Sequence, residues 1–473
     1  MIIREAAAYW ITRLRACEEI GSCPEHVIHF RKWTGGDSMT GGARFIRADR
    51  SQTRWDLVDL EALLPGDHRA RVVMSFVEAL DLSALYEAIK SREGERGRPA
   101  ADPAVLLGLW LYATIEGVGS ARQLERLTER DVTYRWIAGG VPVNYHGLSD
   151  FRVAHVEVLD RLLTESVTAL IAEGVVSLAE IVVDGTKVRA NASRESFKTS
   201  SKLARIGAAV ERRLAGLKAE IESDPEASSR RKRAAQERAA REVQERAERA
   251  RAALGRVRAE REKRAKKHPQ DEAKKKSEPK VSLSDPDARL MRFADGAIRP
   301  AYNAQIAATP NEGLIVSVEM TDRRNDAGLA APMVEDVVRR YGKTPQNLLV
   351  DTHYATNADI AALAEHVAGP VKVYAPPPSE GGDDISPRAL ANRSRRRAKE
   401  PESMKEWRCR MATQAGQEIF GLRKLIERIN ANLKNHGFGF IPVRGLIKAK
   451  AVALWHALAN NLMVAHRLRT KLA

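Results

Sequence analysis

The chain has 473 residues, 78 of them Lys or Arg against 62 Asp or Glu, for a formal charge of +16 and an isoelectric point near 9.8. That length exceeds one ordinary hydrophobic core and calls for two or three units. The basic balance points to a polyanionic partner, nucleic acid ahead of an anionic membrane surface, with an Arg-rich proteome as the plainer alternative. Three cysteines, Cys17, Cys23 and Cys409, do not make a disulfide framework and fit a reducing cytosol. The best apolar run, Val105 to Thr114, is too short to span a bilayer, so no membrane partner is expected. Arg4, Arg13 and Arg15 interrupt any signal-like segment, and the expected compartment is the cytoplasm, with access to the nucleoid.

Residues 1–43 differ from the rest and end in a loose, Gly-rich stretch, within which Met39 is an alternative start. Cys17, Cys23, His26 and His29 fall here, but their spacing matches no common zinc module. Residues 44–175 read as a mostly helical domain of DNA-binding type. Asp102-Pro103 opens a helix that Gly117-Val118-Gly119 ends, and Ser120 with Gln123 forms a capping box for the next. The pair reads equally as a helix-turn-helix or as a plain helical hairpin. Ser149 is expected to cap a third helix running to Ala172, with Val153, Val156, Leu159, Leu163 and Val167 at helical spacing.

From 176 the pattern becomes α/β. Leu178 to Val183 reads as a buried strand, and Asp184-Gly185-Thr186 as the acidic turn that ends it. Residues 200–280 form a charged insertion, expected to be a two-helix antiparallel arm. Its apolar stripes run through Leu203, Ile206, Val210, Leu214, Leu217 and Ile221 and through Val243, Ala247, Ala250, Leu254 and Val257, on either side of a break at Asp224-Pro225. The arm could touch DNA or be a solvated coiled coil. A disordered linker is expected after Lys266. Strands over Tyr302–Ala307 and Leu314–Met320 flank a hairpin turn, and Asp326 is placed to cap a helix running through Arg340. Strands at 347–350 and 371–374 then alternate with helices, and two helices, 405–434 and 445–470, close the chain.

Asp184 and Asp351 each follow a short buried strand. Carboxylates at the ends of adjacent strands converge on one crevice, where mutual repulsion favours a divalent cation between them. Either residue alone reads first as a turn cap. Arg423, Glu427 and Lys434, with Phe420, share one arc of the expected 405–434 helix, beside an apolar arc of Leu422, Ile426, Ile429 and Leu433. Glu427 can complete a metal site while Arg423 and Lys434 face phosphates.

The spacing Arg423-x3-Glu427-x6-Lys434 resembles the Tyr-x2-Arg-x3-Glu-x6-Lys signature of bacterial insertion-sequence transposases of the DDE type, with Phe420 in place of Tyr. Val183-Asp184-Gly185-Thr186 resembles the family's first-acid motif, and Asp351-Thr352-His353-Tyr354 its Asp-x-x-Tyr motif. Arg444-Gly445-Leu446 and Asn460-Asn461-Leu462 resemble its closing segment, and Gly97-Arg98-Pro99 with Asp102-Pro103 its N-terminal domain. The likeness spans roughly residues 44–473. It implies a ribonuclease-H-like catalytic domain over 176–473, carrying the 200–280 arm as an insertion and bringing Asp184 beside Asp351. It implies a catalytic set of Asp184, Asp351 and Glu427 on two Mg²⁺ ions, with Mn²⁺ able to substitute, and DNA contacts from Arg423, Lys434, Lys187 and Tyr354. The implied reaction is metal-dependent strand cleavage at transposon ends and strand transfer into target DNA. The partners would be double-stranded terminal repeats and target, with a homo-oligomer on DNA. The alternatives are a nuclease of the same fold without strand transfer, a catalytically inactive DNA-binding descendant, and a coiled-coil scaffold built on the arm.

Overall fold

The structure, a computed structural model, describes residues 59–473 apart from 90, 92–98, 224–226, 268–277, 378–393, 396 and 473, and describes no side chain at 221–223, 227–233 or 472. The chain divides into two units, Met1–Leu57 and Val58–Ala473, and the described residues all belong to the second. The cysteine–histidine cluster, Met39 and the linker expected beyond Lys266 lie outside the described residues.

Seven helices precede the sheet among the described residues: α1 (Arg69–Glu78), α2 (Ser83–Glu87), α3 (Pro103–Ile115), α4 (Ala121–Arg130), α5 (Val132–Ala138), α6 (Tyr145–Ala154) and α7 (Val156–Ala172). Asp102 caps α3 with Pro103 in its first turn, and Ser120 caps α4 through the Gln123 amide, as expected. From Leu106 to Ile115 every residue of α3 is buried, so this helix is core on all sides. Ser149 is not a cap. It lies inside α6, which Asn144 caps through the Gly147 amide at 2.8 Å, and the helix breaks at His155 (φ −115°, ψ 45°) before α7 begins.

Strand β1 (Glu180–Arg189) is the spine of the sheet. It corrects the sequence reading: Asp184-Gly185-Thr186 is no turn, because antiparallel pairing to β5 (Ile298–Ala308) continues unbroken from Val182 to Arg189. A carboxylate and a glycine resemble a turn locally, but cross-strand pairing overrides that preference. The far edge of β5 is shared in succession by β4 (Arg289–Arg292) and β6 (Ile315–Thr321), both antiparallel. On the other side of β1, strand β7 (Asn347–Leu349) runs parallel, and β8 (Lys372–Tyr374) runs parallel to β7. A central strand with antiparallel neighbours on one side and parallel neighbours on the other is the expected ribonuclease-H-like order.

The arm interrupts the chain between β1 and β4. Helices α8 (Ser200–Ser223) and α9 (Ala227–Lys267) lie antiparallel, with Arg213 reaching Gln236 and Arg251 reaching the carbonyls of Leu203 and Ala204. A ribbon of β2 (Phe197–Lys198) and β3 (Val281–Ser282) closes the arm's base, over a small core of Leu203, Ala250, Ala253, Leu254 and Val281.

After β6 come α10 (Ala330–Tyr341), then α11 (Asn357–Ala364) between β7 and β8. The helix expected over 405–434 is three helices: α12 (Glu402–Ala412), α13 (Gln414–Gly421) and α14 (Lys424–Leu433). Thr413, extended at φ −82° and ψ 151°, ends α12 and caps α13. Gly416 sits so close to the turn that a Cβ would meet the Arg410 carbonyl oxygen at 2.0 Å. The last helix, α15 (Leu446–Leu472), packs on β6, α3 and α7. Its Asn461 accepts from the Ile315 amide (2.8 Å) and donates to the Ile315 carbonyl (2.7 Å), completing backbone bonds that the start of β6 would otherwise lack. One hydrophobic core runs from α1 through the sheet to α15.

Candidate active site

Asp184 lies midway along β1, with only 16% of its side chain exposed. The parallel register pairs Val182 with Leu349, so two residues further on Asp184 is level with Asp351, just past the end of β7. The approach of β1 and β7 therefore sets these two acids side by side. Asp351 Oδ1 accepts from the amides of His353 (2.7 Å) and Tyr354 (3.2 Å), so it also caps the turn that follows. Its Oδ2 is left with the His353 ring at 3.6 Å.

The third element comes from α13 and α14. The chain turns at Leu422 and Arg423, which separates Phe420, on α13, from the arc shared by Arg423, Glu427 and Lys434. Arg423 spans two acids: its Nη2 lies 3.1 Å from Asp184 Oδ1 and its Nη1 lies 3.4 Å from Glu427 Oε1. Glu427 is 66% exposed, unlike Asp184, and so faces solvent at the rim. Asn430 donates to Asp184 Oδ2 at 2.8 Å. Sequence reasoning missed Asn430, although positions 423, 427, 430 and 434 step by four, three and four along one helix face. Lys434 is exposed and has no hydrogen-bond or ion-pair partner among the described residues.

Burial is the largest influence on Asp184 and pushes its carboxyl up to about 6. Arg423 opposes the shift, while the charges of Asp351 and Asp326 add to it. Asp326 is the second residue that the sequence placed elsewhere. It caps no helix: α10 starts at Ala330 with Leu329 before it, and Asp326 Oδ1 instead accepts from Asn303 Nδ2 (2.7 Å) and Gln305 Nε2 (2.9 Å). Asn303 and Gln305, on β5, pair with Lys187 and Gly185 of β1, on the face opposite Asp184. Asp326 packs so tightly there that a Cβ on Gly185 would fall 2.3 Å from its Oδ1. This is why glycine follows the first acid.

The same network corrects one expected DNA contact. Tyr354 is fully buried, and its hydroxyl donates to Gln305, so it acts as a strut beneath the acids rather than as a surface contact. Burial raises the Tyr354 hydroxyl's pKa and keeps it a donor. Lys187 points to the face away from Asp184 and donates to the Arg292 carbonyl at 2.8 Å. Asp184, Arg423 and Glu427 are joined directly, and Asp351 is level with Asp184.

For divalent ions, the donor chemistry fits: Asp184, Asp351 and Glu427 offer carboxylate oxygens, the ligands that hard cations prefer. Crowding by Asp351 and burial of Asp184 are the stresses that a cation relieves. Among the described residues, however, no three acidic, imidazole or thiol side chains are already gathered as a metal cluster. Both oxygens of Asp184 are engaged by Arg423 and Asn430. Asn430 Oδ1 and Arg423 Nε are buried there without partners among the described residues.

Family comparison accounts for both halves of this architecture. Residues 58–154 match the Transposase domain (DUF772), and residues 282–463 match the Transposase DDE domain. The chain belongs to the DDE transposases of insertion sequences. The DDE match takes in Asp351, Arg423, Glu427 and Lys434, whereas Asp184 lies ahead of it, on the near side of the inserted arm. The fold of the transposase is thus ribonuclease-H-like in its C-terminal half and helical before it, and membership places it among the nuclease and transferase enzymes. No curated protein and no solved structure matches the chain significantly. No helix among the described residues is long and apolar enough to cross a membrane.

Proposed function

We propose that this transposase cuts DNA at the ends of its element and joins the freed ends to a target duplex, with Asp184, Asp351 and Glu427 as its catalytic carboxylates. The observation that carries the reading is the pairing of β1 with β7, which sets Asp184 level with Asp351, together with the Arg423 bridge from Asp184 to Glu427. The three carboxylates would hold two Mg²⁺ ions, or Mn²⁺ in their place. When bound, the ions supply positive charge that polarises the scissile phosphate and acidifies the attacking hydroxyl.

The protein's own groups orient that chemistry. Asn430 fixes one oxygen of Asp184, and the Tyr354–Gln305–Asp326 chain ties β5 to the turn after β7 and to the segment ahead of α10. Arg423 releases its carboxylates to meet backbone phosphate, and Lys434, exposed on the same helix face, takes a second. In the first step, water attacks a phosphodiester, the P–O3′ bond breaks and a 3′-hydroxyl is freed. In the second, that hydroxyl attacks a target phosphodiester, one P–O bond forming as another breaks. No covalent intermediate with the protein is required. Double-stranded DNA in the cytoplasm is the substrate, engaged by a homo-oligomer.

The test is an assay with a labelled duplex carrying the sequence that flanks the gene, a supercoiled target plasmid, and Mg²⁺ or Mn²⁺. Label joined covalently to the plasmid is expected. Cleavage without joining would favour a nuclease of the same fold, and binding without cleavage an inactive DNA-binding descendant.

A further inference from the structure

A second charged feature lies away from the carboxylates, where the arm meets the catalytic domain. A cleft of about 380 Å³ opens between α9 and the start of α15. Arg246, Arg249 and Arg256 line it from α9, and Arg444 and Lys448 from the other wall. Against these five cations stand two carboxylates: Asp287 is engaged through both oxygens, and Asp285 through one, its Oδ1 being buried without a partner among the described residues. Asp285 is fully buried and accepts from the Tyr302 hydroxyl. Asp287 accepts from the Leu446 amide at 3.2 Å and pairs with Arg256 at 3.5 Å. Arg249 and Lys448 are exposed and have no hydrogen-bond or ion-pair partner among the described residues.

Elsewhere on the arm, arginines sit in helical ion pairs, as in Arg241–Glu237, and of the cleft's own arginines Arg246 is paired in the same way with Glu242. A solvated coiled coil needs no more than that. The cleft is different: it gathers cations from elements distant in sequence around one cavity, and beyond the Arg246–Glu242 and Arg256–Asp287 pairs it keeps a cationic excess that suits a polyanion. Its position is also fixed relative to the acids. Arg444 Nε donates to the Asn191 carbonyl at 3.0 Å, and Asn191 lies seven residues beyond Asp184, two past the end of β1. The five residues to the end of β1 rise roughly 17 Å, and the turn beyond brings the separation to at most roughly 20 Å. That is the length of about six base pairs of B-DNA.

We propose that this cleft holds backbone phosphates of the duplex being cut, about six base pairs from the scissile bond, so that the arm is a DNA clamp and not only a solvated spacer. The inference rests on the proposed function, namely that the chain acts on DNA. Arg249 and Lys448 are the contacts that nothing else in the structure uses.

The test uses the full chain with Arg249→Gln and Lys448→Gln combined, and a control of equal charge, Arg212→Gln with Lys218→Gln, on α8 further towards the arm's tip. Binding to the flanking-sequence duplex is measured across a salt series. The cleft pair should lower the slope of log affinity against log salt by about two units, one for each lost phosphate contact. The control should leave the slope near wild type, and both variants should melt as wild type does. An unchanged slope, or an equal fall in the control, overturns the clamp. So does a loss of self-association with DNA binding intact, which would make the cleft a seat for an acidic surface of a second copy. If the wild-type chain itself binds no DNA, the proposed function fails and takes the inference with it.

Discussion

Arg423 and Asp184 stand 239 positions apart in the chain, yet a guanidinium nitrogen and a carboxylate oxygen of the two lie 3.1 Å apart. The same guanidinium reaches Glu427 at 3.4 Å. The residue that precedes α14 therefore ties the middle strand of the sheet to the acid on the helix.

Asp184→Asn should abolish strand cleavage while leaving duplex affinity unchanged, because it removes a carboxylate charge and not a phosphate contact. Gel-based cleavage and fluorescence-based binding, run in parallel, check this. Equal loss of both would reassign Asp184 to folding.

Asn430→Ala should lower the cleavage rate by about 10- to 100-fold, the usual cost of losing a group that orients a ligating carboxylate. Asn430→Asp should do more harm, since it sets a like charge beside Asp184. Single-turnover rates at saturating DNA are the readout. An Ala variant with the wild-type rate would show that the 2.8 Å contact has no part in catalysis.

Gly185→Ala should destabilise the fold by about 1–3 kcal/mol, the range for an inserted methyl in a packed site. The methyl meets an Asp326 carboxylate that two side-chain amides hold in place. Combining it with Asp326→Ala should cost less than the sum of the two single changes, since the clash and its partner disappear together. Additive losses in thermal melts would place the strain elsewhere.

Lys434→Ala should leave the melting temperature unchanged, as the side chain is exposed and pairs with no described residue. The salt slope of DNA binding should fall by about one unit. An unchanged slope would remove Lys434 from the DNA-facing set.

Arg340→Leu is expected to be severe. The Arg340 side chain is 1% exposed and lies between Asp160 on α7 (2.7 Å) and Asp336 on α10 (2.6 Å). Breaking a buried pair strands its acids, at a cost of about 3–5 kcal/mol. Chemical denaturation followed by circular dichroism measures this. A loss below about 1 kcal/mol would mean that water reaches the site freely.

Much of this was legible in the sequence because it is local. The Asp102-Pro103 and Ser120 helix starts, the two stripes of the arm and the strand–helix alternation after Ala301 each depend on residues within a turn or two of one another. The spacing of Arg423, Glu427 and Lys434 was equally readable, and carried the family resemblance with it. What misled the reading was pairing across the chain. Asp184-Gly185-Thr186 has the composition of a turn, and only the ladder to Ile306, Gln305 and Ala304 makes it a strand. Asp326 and Ser149 look like caps, and Tyr354 like a surface contact. Their true settings are fixed by Gln305 and Asn303 on another strand, by Asn144, which takes the cap first, and by burial beneath the sheet. The sequence by itself determined which residues carry charge, the helix starts at Asp102-Pro103 and Ser120, and which strand segments are apolar, because these follow from neighbours in the chain. Only the tertiary structure decided that Arg423 and Asn430 grip Asp184 and that five cations of the arm and tail share one cleft, because side chains far apart in the chain meet only when the core between them is packed.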